Sequence, residues 1–305
     1  MADEMIDPLT LDQLRVLAAV ADSGSFSAAA RRLGRVQSAV SQAVKTLEDL
    51  LRTPLFDRAG RTPVLTPAGA AILKDARRLI EGARQLKAYA ADIAGGLEPE
   101  LRFAIDAIFP NGLLMASLQA LRGEFPNLPV SVFTESLGGA EQRLRDGVVS
   151  FAVYPISATG AQDLVATPFT KLDVVQVASS RHPLAKLPGP ITREMLEPEV
   201  QLVLTDRTPL TQNLMGGIVS QNIWRFADLA TRLEFLLEGF GWCNMPLHLV
   251  SETIASGRLK RLDLAEASDF KFQVHVVHER GRSIGPAGRW LIEDLRERLK
   301  GCAGR

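Results

Sequence analysis

The chain has 305 residues, of which 46% are hydrophobic and 23% are charged, and its formal net charge is zero. These values are typical of a globular protein of two or three domains, and they exclude bulk disorder and a uniformly basic polyanion-binding protein. Its two cysteines lie far apart, which excludes a disulfide framework and favours a reducing compartment. No apolar run approaches the ~18 residues of a membrane span, and the acidic N-terminus lacks the apolar core of a secretory signal. We therefore expect a cytoplasmic protein that does not interact with a membrane.

Three short helices are predicted in the first fifty residues. The first begins after Thr10 and ends at Gly24, and the second begins after Ser25. Gly34 supplies a turn residue, and the third helix begins near Gln37. Three short helices with a glycine break before the third match helix-turn-helix geometry.

The third helix has an unusual polar face. Its apolar residues recur at spacings of four, three and four from Val40 to Leu51, which leaves a mostly uncharged face consisting of Gln37, Ser38, Ser41, Gln42 and Lys45. A helix in the major groove needs such side chains to contact base edges and phosphates, whereas glutamate would repel the DNA backbone. The pattern predicts binding to double-stranded DNA.

A short β-hairpin is predicted next. Leu55-Phe56 and Val64-Leu65 read as two strands around a turn that contains Arg58 and Arg61. Arginines on such a wing can reach the DNA backbone or the minor groove. The alternative is that residues 10–65 form a helical packing module with solvated arginines, but the wing and the polar helix face together favour DNA binding.

Residues 9–74 resemble the winged helix-turn-helix of LysR-type transcriptional regulators, and the rest of the chain fits that family along its length. The motifs that carry the resemblance are SGSFSAAARRL, QSAVSQAVKTLE, PLFDR and LTPAG. The resemblance implies that the polar face of the third helix contacts DNA, that Arg31 and Arg35 touch phosphates, and that Arg58 and Arg61 lie on the wing. We place the DNA-binding domain at residues 1–66.

A single helix of about 28 residues is predicted over residues 67–96, starting at Pro67. It carries a seven-residue repeat with large residues at one seam position and alanine at the other: Ile72, Ala76, Leu79, Ala83, Leu86, Ala90 and Ile93. This repeat predicts a coiled coil that forms a homodimer, so that paired modules read paired half-sites. The alternative is a long helix packed on its own domain. The family resemblance implies an antiparallel helix pair and, usually, a homotetramer.

From residue 97 onward strands and helices alternate, which predicts a parallel sheet covered by helices. Two α/β lobes joined by crossing strands resemble the periplasmic-binding-protein-like effector domain of the family. We place lobe one at residues 97–168 and 267–305, and lobe two at residues 169–266. The fold class is therefore α/β, with an N-terminal all-α winged helix-turn-helix, a long linker helix and a two-lobed effector domain.

Ligands of open α/β sheets bind beyond the carboxyl ends of the strands. With support from the resemblance, this rule gives eight candidate residues for a small-molecule effector: Asp106, Ala107, Ile108, Ser136, Leu137, Thr205, Asp206 and Arg207. Asp106 departs from the small polar residue that many relatives carry there. If ionised, it disfavours a simple carboxylate unless Arg207 or Arg225 offsets its charge, which predicts an effector with hydroxyls, amines or a heterocyclic ring. The alternative is that Asp106 caps the helix that starts near Pro110.

No enzyme chemistry is predicted. The chain has no Walker loop, dinucleotide glycine fingerprint or nucleophile elbow, and we expect no catalytic residue, cofactor or metal site. His275 and His278 should point to opposite faces of a strand, His182 and His248 should be structural, and Cys243 should be a small buried hydrophobe. Two alternatives remain: an α/β solute-binding module or enzyme with an incidental helical module, and a DNA-organising protein without an effector.

Overall fold

The structure, a computed structural model, describes residues 9–57, 62–156, 163–210, 217–266 and 270–302. They divide into two compact units, one ending at Ala94 and one beginning at Gly95. Within these ranges, no helix is both long enough and apolar enough to cross a membrane.

The N-terminal unit contains four helices and a two-stranded hairpin: α1 Leu11–Ser23, α2 Phe26–Leu33, α3 Gln37–Leu51, β1 Phe56–Asp57, β2 Val64–Leu65 and α4 Pro67–Ala94. Thr10 and Gln13 form the predicted capping box, because the N–H of each donates to the side chain of the other. Gly24 and Gly34 end α1 and α2 at φ values of 62° and 64°, which glycine adopts without strain. The predicted three helices and the wing hairpin are confirmed.

The core of this unit lies between α1, α2, α3 and the first half of α4. Leu17, Val40, Val44, Leu47 and Leu55 are fully buried there. A Cβ on Gly69 of α4 would lie 2.1 Å from the carbonyl oxygen of Leu55, so only glycine permits this close approach of α4 to the wing. Residues Leu73, Ala76 and Ile80 also face this core.

The C-terminal unit alternates strands and helices. The elements of lobe one up to the crossing strand are β3 Leu101–Asp106, α5 Asn111–Glu124, β4 Val130–Glu135, α6 Gly139–Arg145 and β5 Phe151–Tyr154. Those that follow are β6 Leu164–Ser179, α7 Arg193–Leu196, β7 Gln201–Leu204, β8 Ile223–Phe226, α8 Leu229–Glu238, β9 Trp242–Pro246, α9 Leu247–Ala255, β10 Leu259–Arg261, β11 Phe270–Glu279 and α10 Pro286–Cys302.

One sheet runs through both lobes in the order β4-β3-β5-β11-β6-β9-β7-β8, with β10 beside β6. The pairs β3–β4, β3–β5, β7–β8 and β7–β9 are parallel, as the alternation predicts. The long strands β6 and β11 are antiparallel to each other and cross between the lobes. The two-lobed α/β fold with crossing strands is therefore confirmed.

One predicted boundary differs from the structure. Strand β6 runs from Leu164 to Ser179, so the lobe boundary placed at 168/169 falls inside it. Helix α8 begins at Leu229, where the Asp228 side chain caps it by accepting the N–H of Thr231.

Candidate DNA-binding surface and effector cleft

The polar face of α3 is presented to solvent. Its apolar residues Val40, Val44 and Leu47 are fully buried, which fixes the rotation of the helix. The side chains predicted to read DNA lie on the opposite side: Gln37, Ser38, Gln42 and Lys45 are exposed and Ser41 is half-buried. The structure therefore brings all five predicted residues to one face.

The predicted phosphate-contacting arginines have different environments. Arg31 is exposed and donates to Ser27 Oγ at 3.1 Å. Arg35 instead forms a two-pronged pair with Asp12 of α1, at 2.7 Å for both bonds. This pairing lowers the pKa of Asp12 and ties the turn before α3 to α1. Arg58 and Arg61 lie outside the described residues.

The wing is attached directly to α3. Glu48 Oε1 accepts the N–H groups of Leu55 and Phe56 at 2.8 and 3.1 Å, and Phe56 pairs with Leu65 across the hairpin. Glu48 therefore fixes the start of the wing against α3.

The predicted seam of α4 is largely exposed from Leu79 onward. Leu79 and Leu86 are 53% and 66% exposed, and Ala90 is also exposed. Ala83 and Ile93 are half-buried. The prediction is wrong for Ala76, which is only 2% exposed. Ala76 faces the N-terminal core together with Ile72, so it presents no surface to a second chain.

Asp106 lies at the carboxyl end of β3, as predicted, and is only 4% exposed. Its carboxyl group accepts the N–H of Ile108 at 3.0 Å and a second backbone N–H from Leu137. Burial raises the pKa of Asp106 to about 7, and the two N–H bonds offset that rise only in part. The helix-capping alternative is wrong, because α5 has Pro110 at its N-cap and no side-chain cap bond. Neither Arg207 nor Arg225 is among the groups that shift this pKa.

Two further strand ends, one from each lobe, are in contact. Asp206, which follows β7 in lobe two, accepts the N–H of Gly138, which follows β4 in lobe one, at 3.1 Å. The Asp206 carboxylate also accepts the N–H and hydroxyl of Thr208, at 2.7 and 2.9 Å. A backbone N–H of one lobe is therefore held by a carboxylate of the other.

The remaining cleft candidates surround these bonds. Ser136, Leu137, Thr205 and Ala107 are half-buried, whereas Ile108 is buried. Leu137 adopts a φ of 54°, which is uncommon for a residue other than glycine. Arg207 is exposed. The pKa of Asp228 at the start of α8 is lowered mainly by its hydrogen bonds with Thr231, and the charge of Arg207 adds the smallest contribution.

Two family models cover almost the whole chain. The model of the bacterial regulatory helix-turn-helix protein, lysR family, matches residues 11–70. The model of the LysR substrate binding domain matches residues 94–300. The chain belongs to the LysR family.

Curated relatives of this LysR-family chain are transcriptional regulators. The HTH-type transcriptional regulator YhaJ of Escherichia coli is 29% identical over 298 residues, which cover 96% of this chain and 98% of the relative. The regulator AceR of Acinetobacter baumannii is 28% identical over 289 residues, covering 94% and 96% of the two chains. This chain is accordingly a DNA-binding transcriptional regulator with an effector-binding domain, and not an enzyme.

Solved structures share the fold. A cysteine mutant of OxyR from Corynebacterium glutamicum has a TM-score of 0.57 at 22% identity, with 97% of this chain and 94% of that chain covered. Full-length BenM has a TM-score of 0.52 at 18% identity, with coverages of 97% and 98%. These similarities support the helix-turn-helix and two-lobed architecture of the LysR-family chain.

The structure adds two residues that sequence reasoning missed, one at the contact between the lobes and one buried in lobe two. The first is His248 in the first turn of α9, whose side chain hydrogen-bonds the backbone of Ile108 in lobe one. Partial desolvation lowers the pKa of His248, and the bond to Ile108 opposes that shift. His248 thus makes a second contact between the lobes.

The second missed residue is Arg232 of α8, which is only 7% exposed. Its Nη2 donates to the carbonyl of Asn244 and to Sδ of Met245, and its Nε has no hydrogen-bond partner. No carboxylate pairs with it in the described part of the chain. The sequence does contain a signal of this buried arginine, because Arg232 occupies a position in the apolar stripe of α8 between Leu229 and Leu236.

The remaining histidines and Cys243 have structural environments. Cys243 is fully buried, and burial raises its pKa to about 11, as expected for a small hydrophobe without redox reactivity. His182 is buried, and its Nδ1 accepts the N–H of Leu184. Among the described residues, no group of histidine, cysteine and acidic side chains is arranged to hold a metal ion.

Proposed function

We propose that this regulator acts in the cytoplasm as a dimer or higher oligomer whose paired α3 helices read two operator half-sites. A small molecule in the cleft between the lobes would change the lobe or subunit arrangement and so the spacing of the DNA-binding units. The observation that carries the DNA-reading role is the exposed face of α3, which carries uncharged hydrogen-bonding side chains and one lysine.

The residues of α3 and of the segment before it that we expect to contact DNA have two roles. Gln37, Ser38, Ser41 and Gln42 are short or amide side chains suited to hydrogen bonds with base edges. Lys45 and Arg31 are exposed cations suited to phosphates. Arg35 is already paired with Asp12, so a DNA phosphate would compete with Asp12 for its guanidinium group. The contribution of Arg35 to DNA affinity should therefore be smaller than that of Arg31.

Substituting Gln42 and Arg31 should separate these two roles in gel-shift titrations against DNA from upstream of the regulator's own gene. Gln42→Ala should weaken binding to the preferred operator about tenfold while leaving random DNA unaffected, since a good base contact discriminates by roughly 1–3 kcal/mol. Arg31→Ala should weaken all sequences alike and reduce the salt dependence by about one counterion. The matched control is Gln85→Ala on the exposed side of α4. Identical effects of both variants across operator sequences would contradict the assigned roles.

The exposed part of the α4 seam suits a second copy of this chain. Leu79 and Leu86 are large, exposed apolar side chains of a helix that continues beyond the N-terminal core. Ala83 and Ala90 alternate with them and would let two helices approach closely. We infer that this part of α4, from Leu79 onward, pairs with its counterpart, which would present two α3 helices to the operator.

Introducing a charge at this seam should dissociate the oligomer. Leu86→Glu should weaken self-association roughly 100-fold or more, because an unpaired carboxylate would be buried between the helices. Light scattering after size exclusion gives the mass, and operator affinity should fall with it. Gln85→Glu adds the same charge beside the seam and should leave the mass unchanged. A Leu86→Glu protein with the wild-type mass would show that α4 does not form the interface.

The effector should present hydrogen-bond donors to lobe one. Asp106 is a buried carboxyl group whose oxygens face backbone N–H groups and no described cation, so a ligand carboxylate beside it would be repelled when Asp106 is ionised. Hydroxyls, amines or a heterocyclic N–H would instead donate to it.

A further inference from the structure

Val36 begins α3 without the capping side chain that begins each of the two helices before it. It occupies the N-cap of α3 and makes no side-chain cap bond. Thr10 and Ser25 cap α1 and α2 with side-chain hydrogen bonds. Valine is among the poorest N-cap residues, so the stability of α3 does not explain its presence.

Val36 is also the most exposed large apolar side chain among the described residues, at 68%. Burial in the N-terminal core therefore does not explain it either. Its position is nevertheless fixed, because its carbonyl accepts the N–H groups of Ala39 and Val40 at the first turn of α3. A β-branched side chain at such a place has few rotamers, so its two methyl groups stand at a defined point in front of the helix.

That point lies where a recognition helix approaches the bases. Val36 immediately precedes Gln37 and Ser38 on the exposed face of α3, and helix-turn-helix proteins contact base edges with the N-terminal residues of this helix. The one apolar group that a base pair presents in the major groove is the 5-methyl group of thymine. We propose that Val36 packs against a thymine methyl group in each operator half-site and so specifies thymine at that position. The inference rests on the proposed DNA-reading role of α3.

Deoxyuridine lacks only this methyl group, so it tests the contact directly. The tightest-binding duplex is first selected from random sequences, and each thymine is then replaced by deoxyuridine in turn. Wild-type affinity should fall about fourfold, the effect of one buried methyl group, at one thymine in each half-site and should be unchanged at the others. Val36→Ala should bind the thymine and deoxyuridine duplexes equally at that position.

Two further variants complete the experiment. Leu11→Ala removes another exposed apolar side chain from the same unit and should keep the full deoxyuridine effect. Val36→Thr preserves the shape and supplies a capping hydroxyl, so it should raise the melting temperature of the N-terminal unit while weakening thymine discrimination. This variant also serves if Val36→Ala does not fold.

The outcomes separate the contact from the proposed function. If the wild type selects a duplex but Val36→Ala shows the same deoxyuridine profile, the thymine contact is overturned and DNA reading by α3 stands. If the wild type selects no duplex, both are overturned. A loss at one thymine per half-site that disappears in Val36→Ala supports the contact.

Discussion

Replacing Asp106 with asparagine is expected to stabilise the C-terminal unit above pH 7 and to flatten its dependence of stability on pH. The pKa of Asp106 is about 7 in the folded protein and 3.8 in the absence of perturbation. Between these values the folded state binds more protons than the unfolded state, so stability falls as the pH rises from about 4 to about 7. A difference of about three pKa units corresponds to a loss of at most about 4 kcal/mol in the free energy of unfolding. Asparagine does not titrate, so it removes this loss.

Melting temperatures measured from pH 5 to pH 9 check this expectation. Asp106→Asn keeps an acceptor oxygen for the Ile108 N–H, so the variant should remain folded and should gain most at pH 8 to 9. Asp146→Asn, which removes an exposed carboxylate from the same unit, should leave the wild-type profile in place. Parallel profiles of the wild type and Asp106→Asn would show that burial does not hold the Asp106 proton.

The same variant bears on the effector. Amines and polyhydroxyl compounds should raise the melting temperature of the wild type more than that of Asp106→Asn, because an ionised Asp106 attracts a donor or a cation. Amine binding should strengthen as the pH rises through about 7, where Asp106 loses its proton. A clear preference of the wild type for simple dicarboxylates would overturn the proposed effector chemistry.

Local signals explain why the N-terminal unit was predictable. The capping box at Thr10, the left-handed glycines and the buried spacing of α3 each act within a few residues, and the structure contains all of them. The error at Ala76 has a local cause too. A seven-residue repeat and the 3.6-residue period of a helix packed on its own core overlap for the first two turns. The sequence therefore could not show where α4 leaves the core.

Long-range pairing explains why the lobe boundary predicted at 168/169 falls inside β6. The first ten residues of this strand contain Pro168, Lys171 and Asp173, which resemble a loop in sequence. In the structure the ladder with β11 shifts register between Val274 and His275, at the point where His275 faces Pro168. Such an irregularity accommodates a residue without an N–H inside a sheet. The partner strand lies about a hundred residues away in sequence, so no local pattern reveals it.

The candidate cleft was predictable only in part for a similar reason. The strand-end rule correctly located Asp106, Ser136 and Asp206 at carboxyl ends of strands. It could not show that Asp206 reaches Gly138, because that contact depends on how the two lobes close. The contact of His248 with Ile108 depends on the same closure.

Replacing Gly138 with alanine is expected to disrupt this closure. Gly138 has φ −69° and ψ −8°, which alanine adopts readily, so the backbone conformation does not disfavour the substitution. The new Cβ would lie 2.4 Å from Asp206 Oδ2 and 2.5 Å from Thr208 Oγ1. Both atoms belong to short side chains that bond to each other, so relieving the overlap breaks those bonds or separates the lobes. The loss of these buried bonds should cost roughly 1–3 kcal/mol and lower the melting temperature of the C-terminal unit by several degrees.

Two comparisons show whether the lobe contact is the cause. Gly112→Ala places a methyl group in open space on α5 and should leave the melting temperature unchanged or slightly raised. In an Asp206→Ala background the overlap with the carboxylate is absent, so Gly138→Ala should cost clearly less than in the wild type. Such non-additivity measures the coupling between residues of the two lobes, whereas strictly additive losses would mean that they act independently. Because a ligand shifts an equilibrium only through contacts that differ between its states, a coupled Gly138–Asp206 contact is an interaction that an effector entering the cleft could compete with or reinforce.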